Sequence, residues 1–450
     1  MRRAVVIGTG AGGSTAAKEL QGSFDVTVLE AGREFRPFSG NLKRLSALRK
    51  TGLFFDEREI RWMFPSMRVR RSDQGMVLVN GVGRGGTTTM SAGNGVRMDA
   101  DLRALGIDLD GEFAEIFREI PTTTEHQRRW HPVTRQLFVI CGEMGLDPRP
   151  TPKMGRYDLC TRCGRCIFGC PQGAKWDARQ FLARALDNGA RLVEKCLAEQ
   201  IVIRDGAAIG VAARVGRHRE FFPADLVVLA AGGFGTPKIL RESGIDCEHR
   251  LFVDPVLCVA APRKGAFPHN EISMPFIVQR DRYILSPYLD YLSFFFNRAW
   301  RHPLDDIVSL MIKLADTPGG DVTGKTISTP LTPLDRTRIS EGVELCKEIL
   351  RRFGVPEKEM FLGTMNAGHP GGMLPLTATE SASLHSARLP QNLYVADATL
   401  FPNSLGNPPI LTIVALARRI SRLSIGLFNG GTHGLQQGPD RILAGSGRPS

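Results

Sequence analysis

The chain begins with an apolar run at 4–7, a glycine-rich break at 8–13, a segment of small and mixed residues to 20, and, after Asp25, a second mostly apolar run at 26–29. Short continuous apolar runs bounded by glycine read as strands buried on both faces, the pattern of a parallel sheet. The opening therefore predicts a strand, a glycine loop, a helix over about 13–20 and a second strand ending at Glu30, one βαβ unit. Residues 34–100 are rich in Arg and Gly and predict mostly loop, including Gly83-Arg84-Gly85-Gly86-Thr87-Thr88-Thr89 and Ala92-Gly93-Asn94-Gly95. A mixed helical region to about 150 precedes a cysteine run and a helix over 177–188 that stops at Gly189. Short β-type segments at 191–194, 199–203 and 210–215 lead to a strand at 225–231, apolar after Asp225, which returns the chain to the first sheet. Strands, Pro-containing loops and an amphipathic helix over 335–353 fill 256–365. A last strand at 393–397 leads into a helix over about 408–423, and the Gly- and Pro-rich tail from 429 predicts disorder.

Composition narrows the class without identifying a function. With 42% hydrophobic and 23% charged residues in 450, the chain can bury a large core over two domains, which excludes disorder over most of its length. No window reaches about 18 uninterrupted apolar residues, so no transmembrane helix is expected. The richest stretch, 283–300, holds Pro287 and Asp290 and suits the wall of an apolar pocket. The run after Met1-Arg2-Arg3 is too short for a signal peptide, so the expected location is the cytoplasm. The net charge of +12 is spread along the chain without a Lys/Arg block, which argues against nucleic acid. It suits an acidic protein partner or peripheral contact with an anionic membrane, and equally a merely basic soluble protein.

Gly8-Thr9-Gly10-Ala11-Gly12-Gly13 fits the dinucleotide fingerprint directly after a strand, with an acid, Glu30, about twenty residues further on. Gly8 allows the tight turn, Gly10 lets backbone approach a pyrophosphate, and Gly13 lets helix and strand pack closely, while Glu30 can accept from ribose hydroxyls. The fingerprint alone does not separate FAD from NAD.

Further segments do. Val228-Leu229-Ala230-Ala231-Gly232-Gly233-Phe234-Gly235-Thr236-Pro237, the 83–94 loop, and Leu393-Tyr394-Val395-Ala396-Asp397-Ala398-Thr399-Leu400-Phe401-Pro402 followed by Gly406-Asn407-Pro408 together resemble the glucose-methanol-choline (GMC) oxidoreductases, in order along nearly the whole chain. The resemblance implies FAD, an α/β fold with a Rossmann-like FAD-binding domain built from 1–100, 171–255 and 385–428, and a smaller α+β substrate unit from 101–159 and 256–384. The cysteine loop at 160–170 and a flexible tail at 429–450 stand outside both. It implies flavin-loop roles for Gly83, Gly86 and Asn94, contact of Asp397 with the ribityl-pyrophosphate region, and a cofactor-side place for Pro408. His369-Pro370-Gly371-Gly372 and Asn407-Pro408 are most similar to the cholesterol-oxidase and long-chain-alcohol-oxidase branches, in which a His and an Asn face the flavin.

Alcohol oxidation by flavin needs a base for the hydroxyl proton and a donor that holds the oxygen. His369, with an ordinary pKa near 6.5, can be the base, and Asn407 the donor. Asn407-Pro408 also reads as the N-cap and first turn of the last helix, and His369 also as a loop histidine. Cys160-x2-Cys163-x2-Cys166-x3-Cys170-Pro171 has bacterial ferredoxin spacing and admits three readings: an iron–sulfur cluster (4Fe–4S or 3Fe–4S), reduced structural thiols, or zinc. The leading expectation is an FAD-dependent dehydrogenase whose electrons leave through the cluster to an electron carrier or quinone. An oxygen-using oxidase with a structural cysteine loop, or a flavoprotein subunit of a larger electron-transfer complex, are the alternatives.

Overall fold

The computed structural model describes residues 1–38, 60, 64–266 and 268–428. Its centre is a parallel five-stranded sheet in the order Leu393–Val395, Leu226–Leu229, Arg3–Ile7, Asp25–Glu30, Arg191–Glu194. The apolar runs pair in register, Ala4 with both Leu226 and Val26. Leu226–Leu229 is buried at every position, as a central strand flanked on both faces must be. The helix Ala11–Glu19 follows the first strand and packs against Arg179–Asp187 and the last helix, Ile410–Phe428. Arg418 in that last helix is fully buried and forms ion pairs with Glu19, Glu115 and Glu119, which tie three helices together.

A second, largely antiparallel sheet contains Val256–Pro262, Ile307–Leu314 and Tyr283–Pro287 at its centre. The helix Pro333–Arg352 covers it, opened by a capping box in which Thr332 and Asp335 satisfy each other's backbone N–H groups. The apolar stretch at 283–300 forms the strand Tyr283–Pro287 and the helix Tyr291–Phe296, whose Tyr291, Phe294 and Phe295 are core residues. A separate three-stranded sheet, Cys196–Arg204, Ala207–Val215 and His218–Pro223, stands beside the first.

Two expectations need correction. Within the segment read as loop, Met67–Arg71 and Val77–Gly81 form a hairpin, and Val77–Gly81 pairs onward with Asn366–Ala367. Met67–Arg71 is the sheet edge, so its arginines reach water and obscure the alternation that marks a strand. The last helix begins at Ile410, with Ile413 N–H donating to Pro409 O, so Asn407 does not cap it and Pro408 is not in its first turn. The tail at 429–450 lies outside the described residues. Among the described residues no helix is long and apolar enough to cross a membrane.

Candidate active site

The glycine loop between the first strand and Ala11–Glu19 assigns a separate steric duty to each glycine. Gly8 takes φ +98°, and a Cβ there would lie 2.4 Å from Ala230 O. At Gly12 it would lie 1.6 Å from Ala396 O, and at Gly13 2.0 Å from Gly8 O. At Gly10 it would meet nothing within 4 Å. Gly10 is also the N-cap of a nine-residue helix that has no side-chain cap and no acid in its first turn. Backbone N–H groups of the uncapped first turn, the positive end of the helix dipole and open space beside Gly10 could together hold a phosphate. Gly83 and Gly86 fold onto it: a Cβ on Gly86 would stand 3.0 Å from Gly10 Cα, and one on Gly83 2.6 Å from Arg33 O. Gly12, whose packing against Ala396 is the tightest of the set, was not singled out by sequence.

Glu30 is buried at the end of its strand, where it accepts from Thr9 N–H (3.2 Å), Gly32 N–H (2.8 Å) and the Thr9 hydroxyl. Part of its carboxylate is thus committed to holding the loop. Asp397 accepts from Gly232 N–H (2.8 Å), Thr399 N–H (2.9 Å) and the Thr236 hydroxyl (2.5 Å), and burial raises its pKa. It joins the C-terminal strand to the helix Gly232–Glu242, while the Thr399 hydroxyl is buried without a partner. Asn94 is buried beneath the loop, with its amide oxygen on Lys153 Nζ and its amide nitrogen 3.2 Å from Met274 Sδ.

His369 and Asn407 come to one region through groups that sequence reading did not single out. His369 Nδ1 lies 3.6 Å from Asp254 Oδ2, beyond hydrogen-bond length, and its side chain is 27% exposed. Asp254 is paired with Lys313 Nζ and accepts from the Ser404 hydroxyl, three residues before Asn407. Asp254 adopts φ +54°, a left-handed conformation uncommon outside glycine and held here by its partners. The carboxylate of Asp316 accepts both Val253 and Asp254 N–H, and burial followed by the charge of Asp254 pushes its pKa up to about 7. Burial and then Lys313 lower the pKa of His369, which keeps the imidazole neutral, while Asp254 near Nδ1 favours the tautomer with Nε2 free. Asn407 is buried, with Nδ2 donating to Gln279 Oε1 at 3.0 Å and Oδ1 left without a partner. One signal for Lys313 was available in the sequence: a lysine inside the strand Ile307–Leu314, whose other residues are apolar apart from Ser309.

The cysteine loop is anchored from below. Phe168 packs on Phe64 and Tyr291 at ring-centroid distances of 4.6 and 4.7 Å, and the Tyr291 hydroxyl donates to Gly164 O. Cys160, Cys163, Cys166 and Cys170 line one shallow hollow together with Gly164, Glu271 and Ile272. Two buried lysines lie behind it. Lys175 Nζ donates to Thr89 O (2.7 Å), Ser91 O (2.8 Å) and Cys166 O (3.1 Å), which joins the 86–91 turn to the cysteine loop. Lys153 Nζ donates to Ser273 O at 2.6 Å, and burial lowers its pKa to about 7. Burial raises Cys160 to about 11 and raises Cys166, against which Lys175 and Lys153 act. Among the described residues no set of three or more His, Cys, Asp or Glu is arranged to hold a metal ion. The mutual geometry of the thiols therefore lends no support of its own to zinc or to an iron–sulfur cluster.

Residues 3–259, more than half of the chain, match the family model of the GMC oxidoreductases. The chain belongs to that family, and is on that membership an FAD-binding oxidoreductase acting on CH–OH groups. It is 24% identical to the uncharacterised protein MJ1450 of Methanocaldococcus jannaschii, over 93% of this chain and 98% of that one. It is 23% identical to the long-chain-alcohol oxidase FAO1 of Arabidopsis thaliana, over 93% of this chain but 66% of the plant protein. The solved structure of pyridoxine 4-oxidase from Mesorbium loti matches with a TM-score of 0.70 at 16% identity, over 96% of this chain and all of that one, which establishes the shared fold.

Proposed function

We propose that the protein is a dehydrogenase that oxidises an apolar alcohol to a carbonyl and passes the electrons out through the cysteine loop. The observation that carries the alcohol chemistry is the partly exposed His369 set against the buried Asp254–Lys313–Ser404 network, whose Ser404 stands three residues before Asn407. His369 Nε2 takes the hydroxyl proton, Asp254 orients the ring and Lys313 keeps that carboxylate ionised. Asn407 holds the substrate oxygen with its amide.

FAD fits the uncapped helix behind Gly10, with Gly8, Gly13, Gly83 and Gly86 keeping the backbone close and Glu30, Asp397 and Pro408 bordering the cofactor. The five-stranded sheet serves as the FAD-binding unit (1–100, 171–255 and 385–428), and 101–159 with 256–384 covers the substrate. The four thiols supply the ligand type for an iron–sulfur cluster, all four for 4Fe–4S or three of them for 3Fe–4S, and the ferredoxin spacing and their common hollow are what support that reading. The buried Lys153 and Lys175 offset the thiolate charge such a site requires. Bound FAD supplies the hydride acceptor and the cluster a one-electron outlet toward a carrier or quinone.

The relatives named oxidases favour a second reading, in which oxygen is the acceptor and the cysteine loop is structural. Anaerobic purification decides between them. The proposed reading expects bound FAD, iron with acid-labile sulfide, and little peroxide during turnover. Stoichiometric peroxide from iron-free protein would overturn it.

A further inference from the structure

The surface around the cysteine loop carries a concentration of positive charge that neither the fold nor the alcohol chemistry requires. Arg128, Arg129, Arg135 and Arg156 are exposed and Arg162 and Arg165 half-buried, with the four cysteines themselves partly exposed among them. Hydrogen bonds make this a single ridge. Arg129 Nη2 donates to Cys160 O at 2.5 Å and Nη1 to Tyr157 O at 3.2 Å, Arg162 Nη1 to Arg129 O at 2.6 Å, and Arg135 Nη2 to Arg128 O at 2.8 Å. Within the ridge Glu125 pairs with Arg128 and Asp158 with Arg156. Among the described residues no carboxylate lies within ion-pair distance of Arg129, Arg135 or Arg162, whose guanidinium groups are spent on backbone carbonyls that leave their charge uncompensated. Leu159, 46% exposed beside Cys160, adds an apolar contact within the ridge.

We infer that this face docks a small electron-carrier protein of acidic surface, which takes electrons directly from the cysteine loop. The inference rests on the reading that electrons leave by that loop. Charge complementarity over a small polar interface is the means by which transient redox partners find one orientation, and an open redox site at the centre of the patch shortens the transfer distance. Each carrier takes one electron, so one alcohol oxidation reduces two carriers and releases two protons to water. A membrane surface fits less well, because the large hydrophobic side chains exposed there, Leu159 and Val139 one turn beyond Arg135, do not form the continuous apolar face that membrane insertion uses.

The test mixes photoreduced holoprotein anaerobically with oxidised acidic rubredoxin in a stopped-flow instrument, with basic cytochrome c and neutral benzoquinone as controls. The rubredoxin rate is expected to fall about tenfold or more as salt rises from about 0.02 to about 0.3 M, the benzoquinone rate to stay level, and cytochrome c to be slow at low salt. In the triple variant R128E/R135E/R156E the low-salt rubredoxin rate is expected to fall by a further factor of about ten to a hundred, with benzoquinone reduction unchanged. Those positions leave Arg129 and Arg162, which hold the loop backbone, in place. A salt-independent rubredoxin rate that the triple variant leaves alone overturns the docking face, even where iron and the cluster signal are intact. Iron-free protein that still shows the salt and charge-reversal effects upholds the docking face and overturns the cluster. Binding to phosphatidylserine vesicles that the triple variant abolishes, with no effect on rubredoxin, assigns the ridge to a membrane and also overturns it.

Discussion

Replacing Asp254 by Asn separates what this carboxylate does for stability from what it does for His369. Asp254 and Lys313 are an ion pair with side chains 2% and 1% exposed, so the change leaves an ammonium group in the interior without its partner. Removing one member of a buried pair costs on the order of 3–5 kcal/mol, and the nearby Asp316 carboxylate places the expectation at the lower end, about 3 kcal/mol. Removing both charges in D254N/K313M should restore most of that loss, since a well-packed apolar replacement is close to neutral. Alcohol-dependent flavin reduction should not recover with it. Because Nδ1 stands 3.6 Å from the carboxylate, the expected loss is that of a positioning group, about ten- to a hundredfold, in the single and the double variant alike. The pH profile adds a sign. Asp254 raises the pKa of His369 against the lowering effects of burial and Lys313, so the acid limb of flavin reduction should move to lower pH in D254N. Urea unfolding and anaerobic stopped-flow reduction by an alcohol that reduces the wild type supply both readouts. A D254N protein that reduces at the wild-type rate with an unmoved acid limb would show Asp254 to be structural only.

Gly10→Val should abolish stoichiometric FAD while the apoprotein still folds, because the added side chain enters open space; Gly12→Val, driven into Ala396 O, should fail to fold, as circular dichroism of the two variants would show. His369→Asn should slow flavin reduction about a hundred- to ten-thousandfold with FAD retained, and rapid reduction in that variant would remove it as the base. Asp316→Asn should stabilise the protein at high pH: the folded-state pKa of about 7 lies above the unfolded value near 3.9, so stability is complete below about pH 4 and lost as pH rises through 7. The gain of the variant, followed as Tm against pH, should be greatest at pH 8 and vanish toward pH 4. Replacing any one cluster ligand among Cys160, Cys163, Cys166 and Cys170 by Ser should strip iron and slow one-electron acceptors while substrate still bleaches the flavin; unchanged turnover in all four variants would make the loop structural.

The elements legible in the sequence were those whose signal is local. The runs at 4–7, 26–29 and 226–231 are mostly apolar because both sheet faces are covered, and Gly8 to Gly13 carry a turn whose sterics leave few other residues possible. What stayed hidden depends on contacts distant in sequence. Nothing near Asn407 reveals that the helix waits until Ile410, because Asn-Pro is a good helix start wherever the tertiary structure permits one, and here the amide is drawn instead to Gln279. Asp254, Lys313, His369 and Ser404 lie in four separate segments and become one network only when the second sheet closes on the 398–408 loop. Lys313 was nonetheless marked: a lysine flanked by Ile312 and Leu314 in a strand with no exposed position must find a carboxylate or lose its charge. A buried charge in an apolar run therefore points to a missing partner, and at this site that partner is the carboxylate beside His369, which makes a costly buried ion pair and the candidate base parts of the same arrangement.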